Sequence, residues 1–230
     1  MPRVFAVVPA AGQGTRLGEP LPKQYIALAG RPMLFHCLEA LAKVARIERV
    51  FAVLAPGDRH WAACDWSVLA GRVEPLFAGG EHRARTVLNA LGALEGRIAP
   101  GDWVLVHDAA RPCIAPALVE RFLDELDGER VGGLLALPLA DTLKSAGGGR
   151  RVTATVPREN LWRAQTPQMF RYALLRRGLE GRPDATDESQ AVEALGEAPL
   201  LVEGESANLK VTFAEDLALA EMILGRRRSA

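Results

Sequence analysis

Cysteine is scarce in this chain. The three present, Cys37, Cys64 and Cys113, are odd in number and far apart. They match neither a disulfide framework nor the spacing of a zinc site, so a reduced, cytoplasmic setting is the expectation. No apolar run reaches membrane-spanning length, and Met1-Pro2-Arg3 leads directly into a strand-like run without a signal-peptide pattern. Formal net charge is zero. That argues against a polybasic nucleic-acid binder while leaving room for a local basic pocket. Lysine is also rare, four against 24 arginines. Most positions open to either residue carry Arg, so Lys23, Lys43, Lys144 and Lys210 mark places where a compact ammonium is wanted. Internal repeats are missing. So is any Ser–His or His–Asp pairing suited to nucleophilic or general-base catalysis.

The 230 residues suffice for one large α/β domain spanning 1–230. Short apolar runs at 4–8, 50–54, 73–77, 103–106 and 131–137 read as buried strands. Amphipathic helices are expected between them, over 32–45 with Pro32 in first position, 60–69, 83–94 and 116–126. Strand alternating with helix predicts a Rossmann-like, doubly wound, mostly parallel sheet. The loops after Val8, Phe77 and Val106 then converge on its carboxyl edge. The stretch 139–158, with Gly147-Gly148-Gly149 at its middle, reads as a projecting β-hairpin arm suited to pack on a second copy of the chain. Beyond it, helices near 171–179 and from Asp187, strands near 200–202 and 209–211, and a last helix over 214–224 are expected, with a frayed 226–228 tail.

The first candidate site is VVPAAGQGTRLGEPLPKQY, 7–25. It is no Walker loop, because no Lys-Ser or Lys-Thr follows the last glycine, and the third glycine of a dinucleotide fingerprint is missing. Glycines at a strand end let backbone N–H groups approach phosphate oxygens, Arg16 adds a fork of donors, and Lys23 adds a point charge. From Gly-x-Gly alone, a plain turn with surface Arg and Lys accounts equally well for the pattern.

PAAGQGTRLGEPLPKQY resembles the signature of nucleotidyltransferases that activate phosphorylated small molecules with a nucleoside triphosphate. VHDAARPC, TPQMF, TDES and NLKVT follow in the same order over nearly the whole chain. Together they resemble the 2-C-methyl-D-erythritol 4-phosphate cytidylyltransferase family of the non-mevalonate isoprenoid pathway. That resemblance implies CTP and a polyol phosphate as substrates, Mg²⁺ as cofactor, and a homodimer through the 139–158 arm. It implies that the backbone of Pro9, Ala10, Ala11, Gly12 and Gly14 cradles the triphosphate, with Arg16 and Lys23 on its phosphates and on the transition state. In FAGGEHRARTV, Gly79, Gly80, Arg83 and Thr86 would border the cytidine, although a glycine turn opening a helix also explains them. Asp108, just past a strand, suits Mg²⁺, a ribose hydroxyl or a polyol hydroxyl, with Arg111 orienting it or the substrate. A capping Asp and a surface Arg are the plainer alternative. His82 reads as solvated, His107 as part of the wall, and Cys113 as buried and inert.

By the same resemblance, Thr142 and Arg158 reach the substrate phosphate from the partner's arm, and Lys210 holds the acceptor phosphate. Thr186 either contacts substrate hydroxyls or simply caps a helix whose first turn carries Asp187 and Glu188. Thr166 and Gln168 read as braces. Some relatives carry an acidic residue near Ala207, so the acceptor is less constrained than the nucleotide. A ribitol-phosphate cytidylyltransferase, a uridylyl- or guanylyltransferase, and a non-catalytic nucleotide-binding module are the competing functions.

Overall fold

The computed structural model describes residues 2–12 and 21–228. In chain order its strands are β1 (Val4–Pro9), β2 (Ala27–Leu28), β3 (Arg31–Pro32), β4 (Ile47–Val53), β5 (Val73–Leu76), β6 (Trp103–Val106), β7 (Gly132–Pro138), β8 (Leu143–Ala146), β9 (Val152–Val156), β10 (Trp162–Arg171) and β11 (Leu200–Glu203). Its helices are α1 (Met33–Ala42), α2 (Arg83–Ala93), α3 (Pro116–Glu125), α4 (Tyr172–Gly181), α5 (Glu188–Glu193) and α6 (Ala214–Arg228). A seven-stranded sheet runs β11-β7-β10-β6-β1-β4-β5, and only β10 lies antiparallel to its neighbours.

The pleat of β1 divides the core. Val4, Ala6 and Val8 point into a layer with residues of α1 and α3, and Phe5 and Val7 into one with α2, α4 and α5. A strand covered on both faces must be apolar throughout, which is why VFAVV is an unbroken run. The helices meet these layers with one stripe each. In α3 the buried positions are Leu118, Val119, Phe122 and Leu123, a helical spacing, with Pro116 in the first turn. Each such side chain contributes about 1.5–3 kcal/mol by leaving water.

From β1 the chain winds outward through β4 to β5, then returns to place β6 on the other side of β1. The crevice between the carboxyl ends of β1 and β6 is therefore the point where the winding reverses, the place where open α/β sheets bind ligands. The predicted arm is a separate two-stranded sheet of β8 and β9.

Four expectations need correction. Residues 60–69 form two short 3-10 turns, Trp61–Ala63 and Ser67–Leu69, in place of a helix. Asp58 accepts from the His60 and Trp61 amides, Asp65 accepts from Ser67, and the Trp61 and Trp66 rings stack at 4.1 Å. These local bonds outcompete a helical ladder. Residues 209–211 make no strand; the Val211 amide donates to the Ala110 carbonyl at 2.8 Å. β10 was not anticipated, because Pro167 interrupts its pattern; the register with β7 breaks between Ala164 and Gln168 to accommodate it. Finally, α6 continues through Arg228, and Arg227 donates to the Cys113 carbonyl at 2.6 Å.

Candidate active site

A cavity of about 570 Å³ opens at the crevice between β1 and β6. Five segments meet there. Pro9, Ala10, Ala11 and Gly12 leave β1, and Lys23 with Gln24 comes from the 3-10 turn behind Pro22. Gly80, Arg83 and Thr86 arrive with the start of α2; Asp108 follows β6, and Lys210 enters from the segment before α6.

The first segment is held from below. Gln24, buried, donates its amide to the Ala10 carbonyl at 2.7 Å. Among the described residues a Cβ on Gly12 would meet nothing within 4 Å, which leaves that side of its backbone open to close approach. Gly14 and Arg16 lie outside the described residues. Gly79 has a different explanation from the expected one. A Cβ there would sit 2.3 Å from that of Ala11 and 2.9 Å from the Leu54 carbonyl. The close approach it permits is of one loop on another. At Gly80 the crowding comes from the Arg85 side chain, 2.4 Å away. Thr86 accepts from the Gly80 amide at 3.0 Å and so shapes this loop.

Charge is concentrated around Asp108. Its Oδ1 takes the Arg83 Nε at 2.8 Å and its Oδ2 takes the Lys210 Nζ at 2.8 Å, with Arg111 Nε at 3.9 Å. Burial opposes ionisation, but Arg83, Lys210 and Arg111 outweigh it and hold the carboxyl well below the usual range. Lys210 is still half exposed, 48%, so its ammonium faces the cavity while it holds Asp108. The Lys23 ammonium donates to the carbonyl of Val211, the residue after Lys210. The two lysines thus meet in one place from opposite ends of the chain. Lys144 bonds Thr155 across the arm at 2.7 Å, and Lys43 pairs with Glu39 at 3.0 Å on the surface of α1.

Behind Asp108 stands a chain of neutral donors. The Asp108 amide donates to the Thr166 hydroxyl at 3.0 Å. That hydroxyl donates to His107 Nδ1 at 3.1 Å, and His107 Nε2 donates to the Arg111 carbonyl at 3.1 Å. Burial pushes the imidazole down to about 4, so it stays neutral; it stands behind Asp108 and does not line the cavity. Arg111 is itself buried and donates to the Asn208 carbonyl at 2.7 Å. It braces the Asn208–Lys210 segment and does not line the cavity. Cys113 is fully buried, its thiol pushed up by burial to about 11.

The remaining expected residues fall elsewhere. Thr142 and Arg158 are exposed at the base of the arm, outside the cavity of their own chain, and Arg158 donates to the Ala140 carbonyl. Thr186 is not the N-cap of α5. Asp187 is: it accepts from the Gln190 amide at 2.9 Å, whereas the Thr186 amide bonds the Gln190 side chain at 2.7 Å. Gln168 is the brace expected of it, donating to Asp187 at 3.0 Å and accepting from the Ser189 amide at 2.8 Å. Glu188 stands in the first turn of α5 as expected, but it is wholly buried and pairs with Arg83 Nη1 at 2.7 Å. Nothing local marks it, because its partner is 105 residues away.

Both Asp108 oxygens accept from a cation, one from Arg83 and one from Lys210, and no group of three metal-ligating side chains exists among the described residues.

A family model described as 2-C-methyl-D-erythritol 4-phosphate cytidylyltransferase matches residues 4–226. The protein of that name from Azoarcus sp. (strain BH72) is 55% identical over 226 residues, 98% of this chain and 96% of its own. Its counterpart from Dechloromonas aromatica (strain RCB) is 54% identical over 228 residues, 99% of this chain and 100% of its own. Among solved structures, a 4-diphosphocytidyl-2C-methyl-D-erythritol synthase superimposes with a TM-score of 0.87 at 35% identity, covering 97% of this chain and 99% of that one. The Francisella tularensis 2-C-methyl-D-erythritol 4-phosphate cytidylyltransferase gives 0.82 at 29% identity, covering 96% and 99%.

Proposed function

The chain belongs to the 2-C-methyl-D-erythritol 4-phosphate cytidylyltransferase family, and from that membership we propose how its cleft transfers a cytidylyl group. The enzyme is a nucleotidyltransferase. It joins CTP to 2-C-methyl-D-erythritol 4-phosphate, giving 4-diphosphocytidyl-2-C-methyl-D-erythritol and pyrophosphate. An oxygen of the acceptor phosphate forms a bond to the α-phosphorus of CTP as the bond from that phosphorus to the β-phosphate oxygen breaks. A phosphate monoester has a second pKa of about 6, so near neutral pH the nucleophile is already a dianion. No protein base is required. The work left is to bring two polyanions together and to stabilise the departing pyrophosphate.

The observation that carries this reading is the convergence of Lys23 and Lys210 beside Asp108 in one cavity. Lys23 neutralises the triphosphate side. Lys210, paired with Asp108 yet half exposed, exchanges onto the acceptor phosphate. The backbone from Pro9 to Gly12 cradles phosphate, with Arg16 and Gly14 joining from the segment that follows. Arg83 and Thr86 fix the nucleotide wall. Beside Asp108, Lys23 and Lys210, a Mg²⁺ ion bound together with the substrate phosphates would supply charge neutralisation at the leaving group. Thr142 and Arg158 serve the neighbouring site of a homodimer, and Thr186 acts by ordering the start of α5.

The test is pyrophosphate release from Mg²⁺ and CTP with 2-C-methyl-D-erythritol 4-phosphate, compared with ribitol phosphate and with UTP. Release only with the first pair is expected. Release with ribitol phosphate instead would overturn the acceptor, and no release with any pair would favour a binding module.

A further inference from the structure

Glu188 is a buried charge that the chemistry above does not use. It has no accessible surface, it does not line the cavity, and its Oε1 takes the Arg83 Nη1 at 2.7 Å. The pairing is not a fork on a fork: among the described residues, Glu188 Oε2 and Arg83 Nη2 are both buried without a hydrogen-bond partner. A lone contact between buried charges is a poor device for stability. The surroundings of Glu188 show a different purpose. The residues on either side of it, Asp187 and Ser189, are both pinned by the side chain of Gln168 on β10. The same strand supplies Thr166, which holds the Asp108 amide at 3.0 Å. One strand thus sets both carboxylates that grip Arg83, one through Nε and the other through Nη1.

We infer that Glu188 is a positioning residue that fixes the Arg83 guanidinium, so that its Nε, and not its outer nitrogens, meets Asp108 on the cleft wall. This rests on the nucleotide reading of the cleft. The outer nitrogens of an arginine are the ones that form a fork with a carboxylate or a phosphate. Freed from Glu188, they turn either onto Asp108, displacing Lys210, or onto a triphosphate oxygen. Either move spoils the wall against which the nucleotide is seated. Glu188 acts only through Arg83, and this makes the inference testable by non-additivity.

The experiment is a double-mutant cycle on kcat/KM for CTP with saturating acceptor, using E188Q, R83Q and the pair. E188Q keeps the shape and removes the charge. It is expected to lose at least tenfold in kcat/KM, with a melting temperature near that of the wild type. In the R83Q background the same change should cost less than twofold. An E188Q enzyme within twofold of wild type would overturn the inference. So would a tenfold loss repeated on top of R83Q, since Glu188 would then act by some other route. Should E188Q fail to fold, E188D, which keeps the charge and shortens its reach, takes its place under the same criteria. Wild-type turnover in the same assay checks the proposed function separately. If it is absent, calorimetric CTP affinity replaces kcat/KM and the comparison still decides.

Discussion

At the scale of single residues the cleft is organised by charges that answer one another and by one imidazole kept out of the exchange. His107 lies between the Thr166 hydroxyl and the Arg111 carbonyl, and burial lowers its pKa to about 4. In the unfolded chain a histidine titrates at about 6.5. The unfolded state therefore binds more protons between those values. The contribution of a neutral His107 is complete above about pH 6.5 and is lost as pH falls toward about 4, by about 1.4 kcal/mol per unit. Urea denaturation should find the protein about 2 kcal/mol less stable at about pH 5 than at about pH 7, with a flatter dependence in H107N. An equal slope in the two proteins would remove His107 from the account. Asp108 stood out in the sequence because it follows the apolar run that becomes β6, and Lys23 and Lys210 because lysine is rare in the chain and both stand in motifs that resemble those of the family. Glu188 did not. Its burial follows from packing α5 on α4, with Gln168 of β10 tied to Asp187 and Ser189, and no spacing within ATDESQ reports those contacts.

At the scale of elements, the arm of β8 and β9 stands apart from the main sheet. Among the described residues its strands pair with each other and with no other strand, and Val152 is 64% exposed. Thr142 and Arg158 sit at its base, away from the cavity of their own chain. If the arm completes a neighbouring site, R158A and K210A should each be nearly inactive while CTP affinity in R158A stays close to wild type. Mixing the two variants should restore measurable turnover, since a mixed dimer holds one site with both residues intact. A monomeric sedimentation profile at micromolar protein, or no recovery on mixing, would contradict this. The hairpin was legible from its triple glycine between two extended runs. The 3-10 turns at Trp61–Ala63 and Ser67–Leu69 were not, because their apolar spacing imitates a helix while Asp58 and Asp65 cap the backbone locally. β10 was hidden by Pro167, which the sheet tolerates at a break in register.

At the scale of the whole molecule, strand and helix alternation was enough to foresee a parallel sheet and a ligand site on its carboxyl edge. The sheet order then sharpens the prediction. The winding reverses between β1 and β6, and Gly12 and Asp108 follow those two strands directly. What alternation could not supply was the antiparallel β10, inserted between β6 and β7. That strand carries Thr166 and Gln168, and so links Asp108 to α5. The central claim is that this cleft transfers a cytidylyl group by positioning and by cations, with no proton taken by the protein. The measurement that tests it most directly is the pH dependence of kcat/KM for 2-C-methyl-D-erythritol 4-phosphate at saturating CTP and Mg²⁺. One rise is expected, with a midpoint near the acceptor's own second ionisation at about 6, followed by a level stretch through about pH 9. A bell-shaped profile, or a midpoint well above that of the acceptor, would show that a protein group exchanges a proton in the reaction and would contradict the claim.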